Sequence, residues 1–551
     1  MFCMSARGRA WRIAMDSPLG HNYSLDTLAL ARSLVHLGDT GGSLRRLRTD
    51  LDAGSPLTIG VIGASVAQNG GCINQPGQRC MAYNGQVVMK HPWGERRPHK
   101  GFAVRLLELV NATWPHAGHR LVNAAHDGTP AQNMLPCLFT HVPRKVGLVV
   151  IEFGSLALHL HLPAVEAVVR KLQGLQPPPV IVFLTIRGLC KRTPRQTPQT
   201  IRYVLNSHWE LYTRNETTAW VRAEHEFTSV CKHYGVACLS LYEATIDAML
   251  ARAPGFSLED VSLDCLHPSN GRRGTDYLFD TLVNWLERGL GLREQGDAAS
   301  RQGPTAAIGA GTLPQPMHPQ NENVGPDGTC YTFGNAGSTK SPISQRMRNV
   351  PWRSAQCDAE RCEFVRAREC PDANSREFRT GGPPPGWSFC KRSLNMRGGA
   401  IGKISPGVLA LKPGAELEFT PDTRVQSSGA ADDPRLKVQA GLEFLVSWEG
   451  MGRVALRCVR GCTCHEQRLD AHRTSNVHNE SIFLRHFFHL RGAAADCTLA
   501  LRVLNESSSG AHKFKVRSLF VAAGDVGARE LMRDVYGGDR GERVTLATTS
   551  S

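Results

Sequence analysis

Four short apolar runs, separated by stretches of helical periodicity, constrain the fold of the first half of this chain more than any other feature. They are Leu57–Gly63, Val146–Phe153, Val180–Ile186 and Val236–Leu241. A run that is apolar along its length, rather than at alternate positions, reads as a strand buried on both faces. Between and after the runs lie the helical patterns Gly101–Asn111, Pro163–Leu175, Thr213–Tyr234 and Gly274–Leu290. Strands alternating with helices imply an α/β architecture, a parallel sheet covered on both faces. Ligands of such sheets bind beyond the carboxyl ends of the strands.

The rest of the chain reads differently. Residues 1–56 are a partly helical lead-in that ends in the basic helix Leu44–Asp50. Its apolar run Thr27–Leu37 is broken by Arg32 and too short to span a bilayer, so it reads as an amphipathic helix and no stable membrane span is expected. The α/β domain occupies 57–290. Residues 291–329 are a linker, with Pro304, Pro314, Pro316 and Pro319 among Gly and Ala. From 330 to 525 short alternating runs return, among them Ala415–Thr420, Gly441–Trp448, Arg453–Val459, Ser481–Leu490 and Lys513–Val521. Such runs with turn residues between them are the signature of an all-β, sandwich-like domain. Residues 526–551 form a polar tail.

The net charge is +15, with Arg scattered along the whole chain. No dense Lys/Arg run alternates with aromatic residues, so the balance reads as a solvated basic surface and no nucleic-acid partner is expected. Seventeen cysteines is a high count, and those of the second half lie in close groups. Cys458, Cys462, Cys464 and His465 are ligand types suited to zinc, but C-x3-C-x-C-H is not a standard finger spacing. Disulfides are the expectation there, with no metal site and no cofactor. Cys72 and Cys80 flank a loop that a disulfide between them would staple. Five N-x-S/T sequons, at Asn22, Asn111, Asn215, Asn479 and Asn505, agree with a glycoprotein of the secretory pathway or the extracellular space. Met1–Leu19 has no continuous apolar core of the signal-peptide kind. The expectation is therefore either a soluble intracellular protein or a true start upstream of this Met.

Three motifs can carry chemistry. Gly63-Ala64-Ser65-Val66 ends the first apolar run, where a turn of small residues lifts a serine hydroxyl off the sheet edge. Asp264-Cys265-Leu266-His267 places an acid and an imidazole three residues apart on a loop, followed by Pro268 and the turn Ser269-Asn270-Gly271. A nucleophilic serine needs such a base, and the base an orienting acid. Asn123-Ala-Ala-His-Asp-Gly128-Thr129 follows the apolar pair Leu121-Val122, and its glycine lets a backbone N–H approach a ligand closely. Alone, each has a plain alternative: a helix cap, a surface Asp with a loop His, and an ordinary turn.

In this order and spacing the three motifs resemble the SGNH/GDSL hydrolase superfamily, whose serine, glycine, asparagine and Asp-x-x-His blocks follow one another along the chain. Lys100-Gly101-Phe102 through Trp114-Pro115 is similar to the plant and algal branch, and Cys330-Tyr-Thr-Phe333 with Gly461-Cys-Thr-Cys464 to the β-rich extension of algal members. The resemblance covers roughly residues 57–525. It implies a three-layer parallel-sheet domain and a serine esterase acting on an acylated carbohydrate or small ester. In that reading Ser65 is the nucleophile, His267 the base and Asp264 the acid that orients it. The oxyanion contacts come from the N–H groups of Ser65 and Gly128.

One block departs from the family pattern. In Ile151-Glu-Phe-Gly-Ser-Leu-Ala157, Leu156 falls where the family has the asparagine that donates to the oxyanion. Losing one such donor typically costs about 2.7–4 kcal/mol of transition-state stabilisation. Ser155 is the expected substitute, with His159 and His161 as further candidates. Two alternatives stay open: a weak or inactive glycan-binding protein of the same fold, and an O-acyltransferase sharing the acyl-enzyme.

Overall fold

The computed structural model describes residues 17–68, 101–192, 209–293, 313–333, 347–357, 386–394, 400–424, 437–448, 450–473 and 481–523, with short gaps at 39–41, 127, 160, 215, 217, 263–264, 270–272, 323 and 325–327, and short strands within 73–99 and 362–369. Asp264, Cys72, Cys80 and the tail 526–551 lie outside the described residues.

The first half of the chain builds one mixed sheet from six strands, β1 (Leu34–His36), β2 (Thr58–Gly63), β3 (Arg120–Asn123), β4 (Leu148–Glu152), β5 (Val180–Thr185) and β6 (Ala237–Ser240). Their order across the sheet is β1-β6-β5-β4-β2-β3. All pairings are parallel except β1 with β6. β2, β4, β5 and β6 are buried at every position, as their apolar runs require. Successive residues serve opposite faces. Leu148 and Val150 join one apolar cluster with Phe102 and Trp285, while Val149 and Ile151 join another with Val165 and Phe227. The contributing helices are α1 (Thr27–Ser33), α2 (Ser43–Asp52), α3 (Ser65–Gln68), α4 (Phe102–Thr113), α5 (Ala131–Met134), α6 (Leu162–Gln173), α7 (Ala219–Tyr234), α8 (Leu241–Leu250) and α9 (Gly274–Gly289).

Two segments differ from their sequence reading. Thr27–Leu37 is not one helix: α1 ends at Ser33 and the chain continues as edge strand β1. Backbone pairing with β6 decides this, because an extended Leu34–His36 completes hydrogen bonds that the sheet edge would otherwise leave open. The lead-in is thus part of the α/β core, with Leu25, Leu30, Leu44 and Leu47 buried in it. Within the Pro-rich linker, residues 317–321 are fastened to α6. The buried Glu166 carboxylate accepts hydrogen bonds from Tyr234 Oη, Met317 N, His318 Nδ1 and Asn321 Nδ2 at 2.5–2.7 Å. A buried carboxylate must find donors, and with a further bond from His318 N–H at 3.1 Å this segment supplies four of the five.

The second half forms separate β-rich sheets from β7 (Thr329–Thr332), β8 (Trp352–Cys357), β9 (Ala400–Ala410), β10 (Ala415–Phe419), β11 (Lys437–Val446), β12 (Arg453–Arg460), β13 (Ile482–Arg491), β14 (Thr498–Val503) and β15 (Phe514–Ala523). β15 pairs with β7, β9 and β11, and β11 with β13. The order β8-β10-β14-β12 makes the other sheet. Val438 and Leu442 of the first sheet and Leu417, Val454 and Leu499 of the second share one apolar cluster. The cysteines with zinc-ligand character are joined as Cys458–Cys464 and Cys462–Cys497. Further disulfides link Cys231 to Cys238, Cys190 to Cys265 and Cys137 to Cys330. Among the described residues no helix is long and apolar enough to cross a membrane.

The two halves meet on a polar seam. Cys137–Cys330 bridges them covalently, and Gly328 N–H donates to the Pro136 carbonyl at 3.0 Å. At the centre Glu443 takes a bidentate pair from Arg517, Nε at 3.0 Å and a terminal nitrogen at 2.7 Å, and a third bond from Ser518 Oγ. Arg517 also donates to Thr129 Oγ1 at 2.6 Å, and Asn133 Nδ2 donates to the Phe483 carbonyl at 2.5 Å. Burial alone would push the Glu443 carboxyl up. The Arg517 guanidinium with its hydrogen bonds, and the charge of Arg485, more than offset this and hold it well below the usual carboxylate range. Removing one partner of a buried pair leaves the other charge uncompensated, at a cost of about 3–5 kcal/mol. Glu443→Ala is therefore expected to lower the unfolding free energy by about that amount, read from urea denaturation. The stability Glu443 supplies is present above its unfolded pKa and lost as pH falls through its lowered folded value. The gap between parent and variant should accordingly narrow on strong acidification.

Candidate active site

The carboxyl ends of β2 and β4 come unusually close. Gly63 has φ +152°, and a Cβ there would stand 2.1 Å from the Glu152 carbonyl oxygen. Only glycine permits this approach. Ala64 N–H then donates to the same carbonyl at 3.0 Å, and the chain turns at once into α3. Ser65 is the first residue of α3 and is 8% exposed. The far end of α3 is fastened by Asn123 at the end of β3, whose Nδ2 donates to the Ala67 carbonyl at 2.9 Å.

His267 reaches this turn from the opposite end of the α/β half. Ser65 Oγ and His267 Nε2 are 2.7 Å apart, and both residues are buried. With Nε2 unprotonated, the serine hydroxyl donates to the ring. The loop carrying His267 is fixed on both sides. Ser262 Oγ donates to the His267 carbonyl at 2.7 Å, and Ser269 N–H donates to the Val261 carbonyl at 2.8 Å. On the other flank the Cys190–Cys265 disulfide and Leu189 N–H, 2.7 Å from the Cys265 carbonyl, tie the loop to the chain beyond β5. The partner expected at Asp264 lies outside the described residues, so the structure describes the Ser–His contact and not the acid.

Gly128 sits on the seam between the halves. It has φ +59°, and its carbonyl accepts from Phe483 N–H at 3.0 Å. A Cβ at 128 would stand 3.0 Å from the Ser481 carbonyl oxygen. The β-rich half therefore sets the position of the glycine loop. Ser155 is buried and turned to Glu152: its N–H donates to Oε1 at 2.9 Å and its hydroxyl to Oε2 at 3.1 Å. Leu156, next in the chain, has no polar side-chain atom to offer. His161 caps α6, its Nδ1 accepting from Ala164 N–H at 3.3 Å, and the side chain of His159 lies outside the described residues.

Sequence reasoning passed over Glu152. It is fully buried as the last residue of β4. Burial pushes its carboxyl above the ordinary carboxylate range, while hydrogen bonds from Ser155 and Ala67 draw it part of the way back. The signal was present: a single carboxylate closing an otherwise apolar strand, Leu-Val-Val-Ile-Glu.

Comparison with known proteins adds a distant likeness. No family model and no curated protein matches the chain. Among solved structures, the chain is similar to a two-domain esterase active on acetylated mannans, at TM-score 0.47 and 14% identity, covering 90% of this chain and 98% of that one. The same esterase co-crystallised with mannopentaose gives TM-score 0.46, again at 14% identity with 90% and 98% covered.

A methyl group at 128 meets both a left-handed backbone and a carbonyl oxygen. Gly128→Ala is expected to lower the unfolding free energy by about 1–2 kcal/mol, the usual cost of holding a residue with Cβ in that conformation. Chemical denaturation measures it, and an unchanged midpoint would show that the loop shifts freely away from Ser481.

Proposed function

We propose that the chain is a serine esterase of the SGNH type that removes an O-acyl group, such as acetyl, from a carbohydrate. In this reading residues 57–290 are the three-layer hydrolase domain and 330–525 a β-sandwich, both in a protein of the secretory pathway. The observation that carries the proposal is the 2.7 Å contact between Ser65 Oγ and His267 Nε2 at the carboxyl edge of a parallel sheet. Ligands of such sheets bind there, and a hydroxyl bonded to an imidazole is the nucleophile–base unit that acyl transfer requires. The carbohydrate substrate rests on the resemblance to the superfamily and on the attached β-rich half.

Ser65 Oγ attacks the ester carbonyl carbon as His267 Nε2 takes the hydroxyl proton. The carbonyl π electrons move onto oxygen, and the N–H groups of Ser65 and Gly128 receive that charge. The tetrahedral adduct collapses, the C–O bond to the sugar breaks, and His267 returns the proton to the leaving alcohol. Water attacks the acyl-enzyme by the same route, with His267 again as base, and releases the acid and Ser65. Asp264 fixes the His267 tautomer and stabilises its charged form. With the Ser155 hydroxyl bonded to Glu152 and Leu156 at the asparagine position, the proposed oxyanion contacts are backbone N–H groups. One side-chain donor fewer corresponds to a rate lower by roughly 10²–10³ than that of a complete site.

Leu156 also favours a second reading, a glycan-binding protein that keeps the fold without turnover. A fluorophosphonate probe separates the two. Covalent labelling at Ser65 is expected for the esterase, and an unlabelled, folded protein would favour the binder. In the same assay series Ser65→Ala should hydrolyse p-nitrophenyl acetate at least about 10³-fold more slowly than the parent. Hydrolysis at the parental rate would overturn the mechanism.

A further inference from the structure

We propose that Glu152 is a positioning residue for the Ser65–His267 pair, holding the turn that carries Ser65 against the chain segment that follows β4. The inference rests on the esterase reading for its chemistry, but its geometry stands apart from it.

Glu152 holds the serine turn on both sides. Its backbone carbonyl accepts from Ala64 N–H, the residue before Ser65, at 3.0 Å. Its side-chain carboxylate accepts from the backbone N–H of Ala67, two residues after Ser65. The same carboxylate binds Ser155 through both N–H and hydroxyl, at 2.9 and 3.1 Å. One residue therefore connects the serine turn, the end of β4 and the segment where the expected oxyanion side chain is missing. Gly63 pairs directly with Glu152 across the two strands, so the arrangement is built on sheet register and not on a loose loop.

Stability alone is a poor reason for this carboxylate. Glu152 is wholly buried in an otherwise apolar strand, where taking a charged group out of water is costly. An apolar side chain would fill the space without that cost. What the carboxylate adds is direction: three donors converge on two oxygens, so α3 and residues 153–155 can take only one mutual arrangement. Ser155, whose donors are directed to Glu152, belongs to this scaffold.

The test compares Glu152→Gln, Glu152→Asp and Glu152→Leu with the parent in the full chain. The readouts are kcat and KM for p-nitrophenyl acetate, the rate of fluorophosphonate labelling, thermal unfolding, and the ¹⁵N resonances of the His267 ring. Glutamine keeps the volume but replaces one acceptor oxygen with a donor NH₂, facing donors. Glu152→Gln is expected to lower kcat and the labelling rate up to about 10²-fold, the effect of a misplacement near 1 Å, with KM within about twofold. Its ring resonances should move toward those of Ser65→Ala, in which the contact is absent. Glu152→Asp should restore part of kcat, whereas Glu152→Leu, of similar bulk, should not. Parental kcat with unmoved resonances in a folded Glu152→Gln protein would overturn the proposal, as would a loss that only follows the fraction unfolded. A parent that neither hydrolyses the ester nor takes the label defeats the esterase reading instead. The ring resonances then still decide whether Glu152 sets the Ser65–His267 contact.

Discussion

Two backbones touch at Gly63 and Glu152, and much of the site follows from that contact. The parallel register of β2 with β4 places residue 63 directly opposite residue 152. No side chain fits between them, since a Cβ at 63 would lie 2.1 Å from a carbonyl oxygen. The close approach lets Ala64 bond to β4 and starts α3 immediately, which lifts Ser65 off the end of the sheet. Asn123 from β3, on the other side of β2, fixes the end of the same short helix. Three adjacent strand ends thus define the place of one hydroxyl. This is the precision that sheet scaffolds provide and free loops do not.

The β-rich half takes part in this geometry. Gly128 hydrogen-bonds Phe483, Thr129 accepts from Arg517, and Asn133 reaches the Phe483 carbonyl. Cys137–Cys330 closes the seam a few residues further on. The Glu443–Arg517 pair at its centre is buried and fully committed in geometry. Such a pair adds little net stability over an apolar contact, but it tolerates few alternative arrangements. The buried Arg485 beside it, which burial pushes down to about 10, makes Glu443 harder still to replace. Among the described residues its Nε and one terminal nitrogen have no hydrogen-bond partner. The glycine loop therefore takes its position from residues some 350 to 390 places later in the chain.

Much of the architecture was legible because burial in a parallel sheet leaves a strong mark. Runs without polar alternation named β2, β4, β5 and β6, and the 3.6-residue patterns named the longer helices between them. The illegible parts are those where a non-local partner decides. Leu34–His36 is extended because β6 has an open edge to pair with. Residues 317–321 are ordered because Glu166 is buried beneath them and needs donors. Neither partner is near in sequence, so no local pattern announces the outcome.

The same division runs through the site. Sequence by itself determined the chemical types: a serine in a small-residue turn, an imidazole on a closing loop, a glycine able to hold φ +59°, and a leucine where a donor was expected. Only the tertiary structure decided which of them touch. It brings Ser65 and His267 together from 202 residues apart, turns Ser155 toward Glu152, and seats Gly128 against the second half of the chain. The physical reason is that side-chain chemistry is written residue by residue. Hydrogen-bond geometry is fixed to a few tenths of an ångström only when strands, disulfides and packed faces have closed around it.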